Sequence, residues 1–281
     1  MKIDQNTALF GVMGSPIGHS LSPVMHNAAF CAEEINAVYL AFESTDAEGC
    51  LAGMRALGMR GMSVTIPHKS TVLLLIDEVD SLAEKIGAVN TIVNRDGRLI
   101  GYNTDAVGAL KALEKHIDPA GKNCFIIGAG GAARAIGFIL KDRGANISIA
   151  NRSTERGETL AGALDCPFFL LDQLADKTTD IVIHTTPVGM FPRTDHCPLP
   201  ENFFKESMVV MDIIYNPLET KLLSLAKRKG CLTINGLGMF IQQGAEQFRL
   251  WTGRKPPLAV MSEAVSKSLS DHESQVRNFT P

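Results

Sequence analysis

A glycine-rich segment between a short apolar strand and a helix constrains the fold of this chain more than any other feature. The predicted strand is Cys124–Ile127, the segment is Gly128-Ala129-Gly130-Gly131-Ala132-Ala133, and the helix begins at Gly131. The pattern fits G-x-G-x-x-G/A, whose first glycine makes a tight turn and whose second lets the backbone approach a pyrophosphate. The helix N-terminus adds unpaired N–H groups. We therefore predict a Rossmann-like dinucleotide-binding domain; the alternative is a tight turn that binds nothing.

Length and charge limit the remaining possibilities. The chain has 281 residues with 27 Lys and Arg, 30 Asp and Glu, and 45% apolar residues. This length predicts roughly two domains, and the apolar content argues against a disordered chain. The near-neutral charge argues against nucleic acid as a partner. Apolar runs such as Val72–Ile76 and Met208–Ile214 are too short to span a membrane.

The N-terminus and the cysteines point to an intracellular protein. The opening residues carry an early Asp and only a short apolar stretch, so we expect no signal peptide and a cytoplasmic location. The six cysteines are scattered without a C-x-x-C pair, which favours buried thiols over disulfides or zinc. No cluster has the spacing of metal ligands, so we predict no metal. The sequence leaves open a monomer or a homodimer.

Strand-like and helix-like segments alternate along the chain. Short apolar strands are predicted at Thr7–Met13, Val38–Phe42 and Met62–Ile66, with a helix opening at Ser22-Pro23 that Ser22 caps. Asp96-Gly97, between two strand-like runs, predicts a hairpin. The alternation as a whole predicts α/β domains with parallel-type sheets.

The end of the strand after the glycine turn selects the dinucleotide. NAD sites place Asp or Glu there to hold the ribose hydroxyl, whereas this strand ends in Asn151-Arg152-Ser153, with Arg156 one turn later. The planar guanidinium of arginine suits phosphate oxygens. We therefore predict NADP rather than NAD. Glu155 counts against this choice, and a solvated basic face is the alternative interpretation of the arginines.

Polar residues follow predicted strands in the N-terminal half. They lie in Gly18–Pro23, Ser63–Lys69, Gly87–Thr91 and Gly101–Asp105. Ligands of open α/β sheets bind at the carboxyl edge of the strands, so these segments are candidates for a binding site. Taken singly, each also has a structural interpretation as a cap, a turn residue or a surface lysine.

Several motifs occur in an order that resembles one family. They are H-S-L-S-P, V-T-I-P-H-K, G-A-V-N-T, Y-N-T-D, G-A-G-G-A-A-R, N-R-S-x-x-R, D-I-I-Y-N-P-L-E-T and G-L-G-M. Together they resemble the shikimate dehydrogenase family over nearly the whole chain. The resemblance implies NADP-dependent, reversible reduction of 3-dehydroshikimate to shikimate in aromatic amino-acid (chorismate) biosynthesis, with a small molecule as partner.

The resemblance also implies an architecture and residue roles. An α/β substrate domain, residues 1–104 plus 241–281, is expected beside a Rossmann-like NADP domain, residues 105–240, with a cleft between them. Lys69 is implied as general acid/base and Asp105 as its catalytic partner. The implied substrate-binding residues are Ser20, Ser22, Thr65, Asn90, Tyr215 and Gln243. The implied cofactor-binding residues add Ile213, Gly236 and Met239 to those of the glycine turn and the arginine segment; core packing is the alternative for Met239.

Two residues depart from the family pattern, and two alternative functions remain open. Ser63 and His184 stand where this family commonly has Asn. One alternative is a quinate/shikimate dehydrogenase paralogue with a different cofactor or substrate preference. The other is a non-catalytic NADP(H)-binding module, which would have no need of Lys69 or Asp105.

Overall fold

Two separate units are distinguished in the computed structural model of the chain. Unit 1 comprises Met1–Thr104 and Gln243–Pro281, and unit 2 comprises Asp105–Gln242. The structure describes residues 3–174, 177 and 179–279, with backbone alone for 272–279. Residues 1, 2, 280 and 281, which belong to the expected first domain, lie outside the described residues.

Unit 1 contains a six-stranded sheet and its helices. Its strands are β1 Ala8–Gly14, β2 Ala37–Glu43, β3 Gly61–Val64, β4 Glu78–Val79, β5 Thr91–Arg95 and β6 Arg98–Tyr102. Its helices are α1 Ser22–Ala32, α2 Ala47–Ala56, α3 Ser81–Ile86, the first residue of α4 Thr104–Glu114, most of α8 Gly236–Thr252, and α9 Leu258–Phe279.

The sheet of unit 1 is mixed. Its strand order is β2-β1-β3-β5-β6-β4. Strand β1 is parallel to β2 and β3, but β5 is antiparallel to both β3 and β6. The expectation of a parallel-type sheet holds for three of the five strand pairs of this unit, and the β5–β6 hairpin accounts for the two antiparallel ones. The predicted hairpin is confirmed: Asp96 and Gly97 both have positive φ, as a tight hairpin turn requires.

The two faces of this sheet bury different side chains because successive residues of a strand point to opposite sides. On one face Met13, Met62 and Ile92 form an aliphatic core with Leu51 and Met54 of α2. The other face is aromatic and packs against α1 and α8. Its contacting rings include Phe10, Phe30, Tyr39, Phe248 and Trp251.

Side-chain caps explain where several helices begin. Asp46 accepts a hydrogen bond from Gly49 N at 2.9 Å, and Asp80 accepts one from Leu82 N at 3.0 Å. The predicted cap at α1 is wrong: the helix begins at Ser22, its N-cap is Leu21, and no side chain caps it. Ser22 is instead the first helical residue.

Unit 2 contains a second six-stranded sheet. Its strands are β7 Asn123–Ile127, β8 Asn146–Asn151, β9 Phe168–Leu170, β10 Ile181–His184, β11 Val209–Asp212 and β12 Leu232–Ile234. Its helices are the rest of α4, α5 Gly131–Asp142, α6 Thr154–Leu164, α7 Lys221–Arg228 and the first turns of α8. The strand order is β12-β11-β10-β7-β8-β9, and every pair is parallel.

This order is that of the doubly wound dinucleotide-binding fold, in which the first strand lies beside the fourth. Both faces of the sheet are covered, one by an apolar cluster that includes Ile126 and Ile136, the other by one that includes Ile127 and Leu222. The predicted α/β fold class is confirmed.

The cysteines are unpaired. All six are free thiols; Cys124 and Cys231 are buried as predicted, but Cys31 is exposed, so the expectation of burial is wrong there. Among the described helices, none combines the length and apolar composition that a membrane span requires. Within the same residues, no group of His, Cys, Asp and Glu side chains could hold a metal ion.

Candidate active site

Polar residues collect at one edge of the unit 1 sheet. Met13 of β1 pairs with Val64 of β3, so these parallel strands end side by side, and Ser20 and Thr65 follow them. Strand β5 begins at the same edge because it is antiparallel to β3, and Val64 N donates to the Asn90 carbonyl oxygen at 2.8 Å. The structure therefore brings Thr65 and Asn90 together at this edge.

The loop that carries Lys69 is held by backbone hydrogen bonds. Ser15 N donates to the Ile66 carbonyl at 2.9 Å, and Val89 N donates to the Lys69 carbonyl at 2.8 Å. The buried His68 Nε2 donates to the Ser44 carbonyl at 2.7 Å. Ser63 takes part in none of these contacts, so its difference from Asn leaves this loop anchored. Lys69 itself is half-buried.

Asn90 belongs to a buried cluster with two threonines. Its Oδ1 accepts hydrogen bonds from Thr104 N at 2.7 Å and from the Thr91 hydroxyl at 2.8 Å. Its Nδ2 donates to the Thr104 hydroxyl at 3.0 Å. Thr91 and Thr104 are fully buried, and Asn90 is nearly so. The amide plane of Asn90 is consequently fixed by three partners.

His26 is a buried neutral histidine behind this edge. Its Nε2 donates to Gln247 Oε1 at 3.1 Å, and its ring stacks on Tyr39 with centroids 4.6 Å apart. Its Nδ1 is the one buried side-chain nitrogen or oxygen without a partner among the described residues. Burial lowers the pKa of His26 to about 4. His26 therefore stays neutral at ordinary pH and has a structural rather than a catalytic place.

This pKa predicts a loss of stability in mild acid. The unfolded chain binds a proton at His26 below its ordinary pKa, whereas the folded chain does not until about pH 4, so stability falls as the pH falls between these values. Between pH 7.5 and pH 5 the expected loss from this group is about 2 kcal/mol. Urea unfolding of the wild type and of His26→Gln at both pH values measures it. Equal losses in the two proteins would contradict the assignment.

In unit 2 the glycine turn lies where the strand order reverses. Gly128 follows β7, and the next strand in the sheet, β10, is followed by Thr185. Gly128 has φ of +121°, and a Cβ there would lie 2.4 Å from Thr185 Oγ1. The Thr185 hydroxyl donates to the Ile127 carbonyl at 2.7 Å. Only glycine therefore fits, at the crevice where doubly wound sheets bind ligands.

The N-terminus of α5 fits a pyrophosphate. Its N-cap is Gly130, and no side chain caps it. Gly130 and Gly131 are exposed, and a Cβ at either would meet no atom within 4 Å. The start of the helix is therefore open to an incoming group, and the positive end of the helix dipole favours an anion there. Ala129 and Ala132 are half-buried beside them.

The arginine segment also fits the predicted cofactor. Asn151 ends β8, the neighbour of β7, and Arg152, Ser153 and Arg156 are exposed just beyond it. Ser153 is the N-cap of α6, but its side chain makes no capping hydrogen bond. Glu155 lies in the first turn of α6 and not at the strand end. Two guanidinium groups and a hydroxyl are thus exposed where a ribose 2′-phosphate is recognised.

A group of buried polar side chains lies at the ends of β10 and β11, on the other side of the point where the strand order reverses. His184 and Asp212 end the neighbouring strands β10 and β11, and His184 Nδ1 lies 3.0 Å from Asp212 Oδ1. Thr220 Oγ1 donates to Asp212 Oδ2 at 2.7 Å, and Ile214 N donates to Oδ1 at 3.1 Å. Asp212 opens the motif D-I-I-Y-N-P-L-E-T, although no role was predicted for it.

Next to this buried group are residues that the family resemblance places near the nicotinamide end of the cofactor. Ile213 comes after Asp212, and Gly236 lies so close that a Cβ there would meet the Ile213 carbonyl oxygen at 2.1 Å. The structure thus brings Ile213 and Gly236 together. Met239 is buried in the core of unit 2, which is the alternative interpretation given above. Tyr215 packs on Phe240 with centroids 4.7 Å apart, and burial raises the pKa of its phenol.

The remaining predicted residues belong to different units. Ser20 is half-buried and accepts a hydrogen bond from Ser22 N at 3.3 Å in unit 1. Gln243 is buried and is the first residue of the second segment of unit 1. Asp105, half-buried in the first turn of α4, and Tyr215 belong to unit 2. The predicted site residues are therefore divided between the two units.

The fold and the site residues of unit 2 define a class of protein. A sheet in doubly wound order, with a glycine turn at its switch point and arginines after its second strand, makes unit 2 a dinucleotide-binding domain. Three family models match the chain: the shikimate dehydrogenase substrate binding domain over residues 12–92, shikimate / quinate 5-dehydrogenase over residues 110–213, and the shikimate 5'-dehydrogenase C-terminal domain over residues 236–265.

Individual relatives agree with these matches. The shikimate dehydrogenase (NADP(+)) of Moorella thermoacetica is 47% identical over 283 residues, covering 96% of each chain. The crystal structure of a shikimate dehydrogenase in complex with NADP+ is similar at a TM-score of 0.92 and 45% identity, covering 95% of this chain and 98% of that one. The Thermus thermophilus enzyme, in complex with NADP(H) and shikimate, gives a TM-score of 0.87 at 36% identity, covering 93% and 99%. This chain belongs to the shikimate dehydrogenase family, as the sequence predicted.

Proposed function

We propose that this chain reversibly reduces 3-dehydroshikimate to shikimate, with NADPH as the hydride donor, in aromatic amino-acid biosynthesis. The chain is an oxidoreductase acting on a CH–OH group, and the relatives named above bear out both that class and NADP as cofactor. One observation carries the proposal in this structure: the glycine turn and Arg152 lie at the carboxyl ends of adjacent strands in a chain of this family.

Lys69 is the proposed acid/base. When bound, NADPH supplies the hydride that reduces the substrate ketone. As negative charge grows on the ketone oxygen, the Lys69 ammonium stabilises it and donates a proton; in the oxidative direction the amine takes the proton back. Asp105 is the proposed partner that orients the Lys69 amine and accepts a hydrogen bond from a substrate hydroxyl. The anchoring of the Lys69 loop supports this role, because an acid/base must be held in position.

Neutral side chains are the proposed substrate ligands. Ser20, Ser22 and Tyr215 would bind the carboxylate of the substrate through their hydroxyl groups. The raised pKa of Tyr215 keeps its phenol protonated, so it remains a donor. The ring hydroxyls and the ketone would be bound by Thr65, Asn90 and Gln243. Groups that pair with each hydroxyl select against analogues that lack one, because the unmatched polar group would then be left unpaired.

A steady-state assay tests the proposal directly. The absorbance of reduced nicotinamide is followed with shikimate or quinate as substrate, each with NADP and with NAD. The proposal expects the highest kcat/KM with shikimate and NADP. A preference for quinate or NAD would favour a quinate/shikimate dehydrogenase paralogue. NADPH binding without turnover of either substrate would favour a non-catalytic binding module.

The exposed arginines predict the cofactor preference. Replacing both Arg152 and Arg156 with alanine is expected to raise the KM for NADPH by roughly 10- to 100-fold, because charge-assisted hydrogen bonds to the 2′-phosphate are lost. The KM for NADH should change little, since NADH lacks that phosphate. Both constants are measured by titrating the cofactor at saturating 3-dehydroshikimate.

Arg143→Ala is the matched control. Arg143 pairs with Glu114 beyond the last turn of α5, at the end of that helix opposite the glycine turn. Its loss is expected to leave both cofactor constants unchanged. An equal rise of the NADPH and NADH constants in the double variant would contradict recognition of the 2′-phosphate.

A further inference from the structure

Gln247 is a buried amide that bridges two neighbouring strands. It lies on α8 and is 2% exposed. Ser63 of β3 and Thr91 of β5 are cross-strand partners, so their side chains lie side by side on the face toward α8. Ser63 Oγ donates to Gln247 Oε1 at 3.0 Å, and Gln247 Nε2 donates to Thr91 Oγ1 at 3.0 Å. The amide therefore presents its acceptor to one strand and its donor to the other.

These contacts hold the carbonyl oxygen of Gln247 on the β3 side. The Tyr39 hydroxyl donates to Ser63 Oγ at 2.6 Å, and Ser63 in turn donates to Gln247 Oε1. His26 Nε2 donates to the same oxygen at 3.1 Å. Two donors therefore fix the orientation of the amide, which leaves its Nε2 to face Thr91.

The contacts reach a proposed substrate ligand on the β5 side. The Thr91 hydroxyl, which accepts from Gln247, donates to Asn90 Oδ1 at 2.8 Å and also lies 3.1 Å from the Thr104 hydroxyl. Asn90 Oδ1 also accepts from Thr104 N. The carbonyl oxygen of Asn90 is occupied by these donors, and one hydrogen of Nδ2 is donated to Thr104. What Asn90 can offer to a ligand is therefore its second N–H.

We propose that Gln247 is a positioning residue for substrate binding: through Thr91 it orients Asn90 to donate to a substrate oxygen, while Ser63 holds the other end of its amide. The inference rests on the proposed function, since Asn90 is a substrate ligand only there. Gln247 lies on a helix remote in sequence from both strands, and its amide joins them.

The test compares variants inside and outside this set of contacts. Gln247→Met removes the hydrogen-bond donor and acceptor of the amide and keeps a side chain of similar volume. Ser63→Ala is a milder change that removes one of the two strand contacts. Asn94→Ala is the matched control. It breaks polar contacts of β5 to Met59 and Gly97 in the same unit, outside the Gln247 contacts. For each protein kcat, the KM for shikimate, the KM for NADP and the free energy of unfolding are measured.

Gln247→Met is expected to raise the KM for shikimate about tenfold, which corresponds to the loss of about one net hydrogen bond. Ser63→Ala is expected to raise it by a smaller factor. The KM for NADP should stay unchanged in both, and kcat should fall less than the shikimate KM rises. Asn94→Ala should lower stability alone.

An unchanged shikimate KM in Gln247→Met, with stability lowered as in Asn94→Ala, would overturn the inference and leave a purely structural role. If Gln247→Met does not fold, Ser63→Ala decides, and an unchanged shikimate KM there overturns the inference. The wild type in the same assay separates the two proposals. A wild type that does not oxidise shikimate overturns the proposed function and this inference with it, whereas an active wild type with unaltered variants overturns the inference alone.

Discussion

Replacing Lys69 with alanine is expected to lower kcat by roughly 10²–10⁴-fold, the usual contribution of a positioned acid/base. In the proposed mechanism the ketone oxygen gains negative charge as the hydride arrives, and the variant lacks the ammonium that is proposed to donate a proton to it. The KM for shikimate should stay near the wild-type value, because the proposed role is chemical. Steady-state kinetics in both reaction directions measure this.

Two further variants define what the Lys69 result means. Lys115→Ala removes an exposed lysine from unit 2 and is expected to leave kcat unchanged. Lys69→Arg keeps the positive charge but places it on a guanidinium, which stays protonated in proteins, so it should stay strongly impaired. Turnover by Lys69→Ala equal to that of the wild type would eliminate Lys69 as the acid/base.

Asp212→Ala is expected to lower the free energy of unfolding by about 3–5 kcal/mol, as measured when one member of a buried pair is removed. The Asp212 carboxylate is fully buried and accepts from three directions: the His184 ring, the Ile214 N–H and the Thr220 hydroxyl. Its removal leaves these donors without an acceptor in a dry interior. Thr220 also caps α7 through Leu223 N, so the start of that helix is loosened as well.

Asp195→Ala is the control for this prediction. Asp195 also pairs with a histidine, His196, but both side chains are exposed. Exposed pairs of this kind contribute about 0–1 kcal/mol, so the control should unfold at nearly the wild-type urea concentration. A loss below about 1 kcal/mol in Asp212→Ala would mean that water or a rearranged side chain replaces the carboxylate.

Local patterns predicted much of the fold. The glycine turn and the Asp96-Gly97 hairpin were predicted because each depends on a few adjacent residues whose backbone geometry is restricted. The mixed sheet of unit 1 was missed, because strand direction depends on how a hairpin inserts between strands that are distant in sequence. The cap of α1 was predicted at the wrong residue because the helix begins one position earlier than expected: Ser22 is already helical and Leu21 takes the N-cap position.

The candidate site likewise contains residues that local sequence patterns could locate and residues that they could not. The segments that carry Thr65, Asn90 and Arg152 could be located from the sequence because each follows or precedes a predicted strand. The buried side chains that pack behind these segments could not be located in this way. Gln247 is separated from Ser63 by 184 positions and from Thr91 by 156, and no local periodicity relates residues so far apart. Asp212 was visible within a quoted motif, but its partners emerge only when β10 and β11 are placed side by side.

The division of unit 1 between two stretches of chain has a consequence for protein synthesis. Domains generally fold in the order in which the ribosome releases them. Here the second stretch, which contains Gln247 and Trp251, is made after the whole of unit 2. Until then the newly made N-terminal sheet has neither the Gln247 amide over Ser63 and Thr91 nor the Trp251 indole over Phe10. The contiguous nucleotide-binding half can therefore finish folding first, and the half that is translated first is completed last.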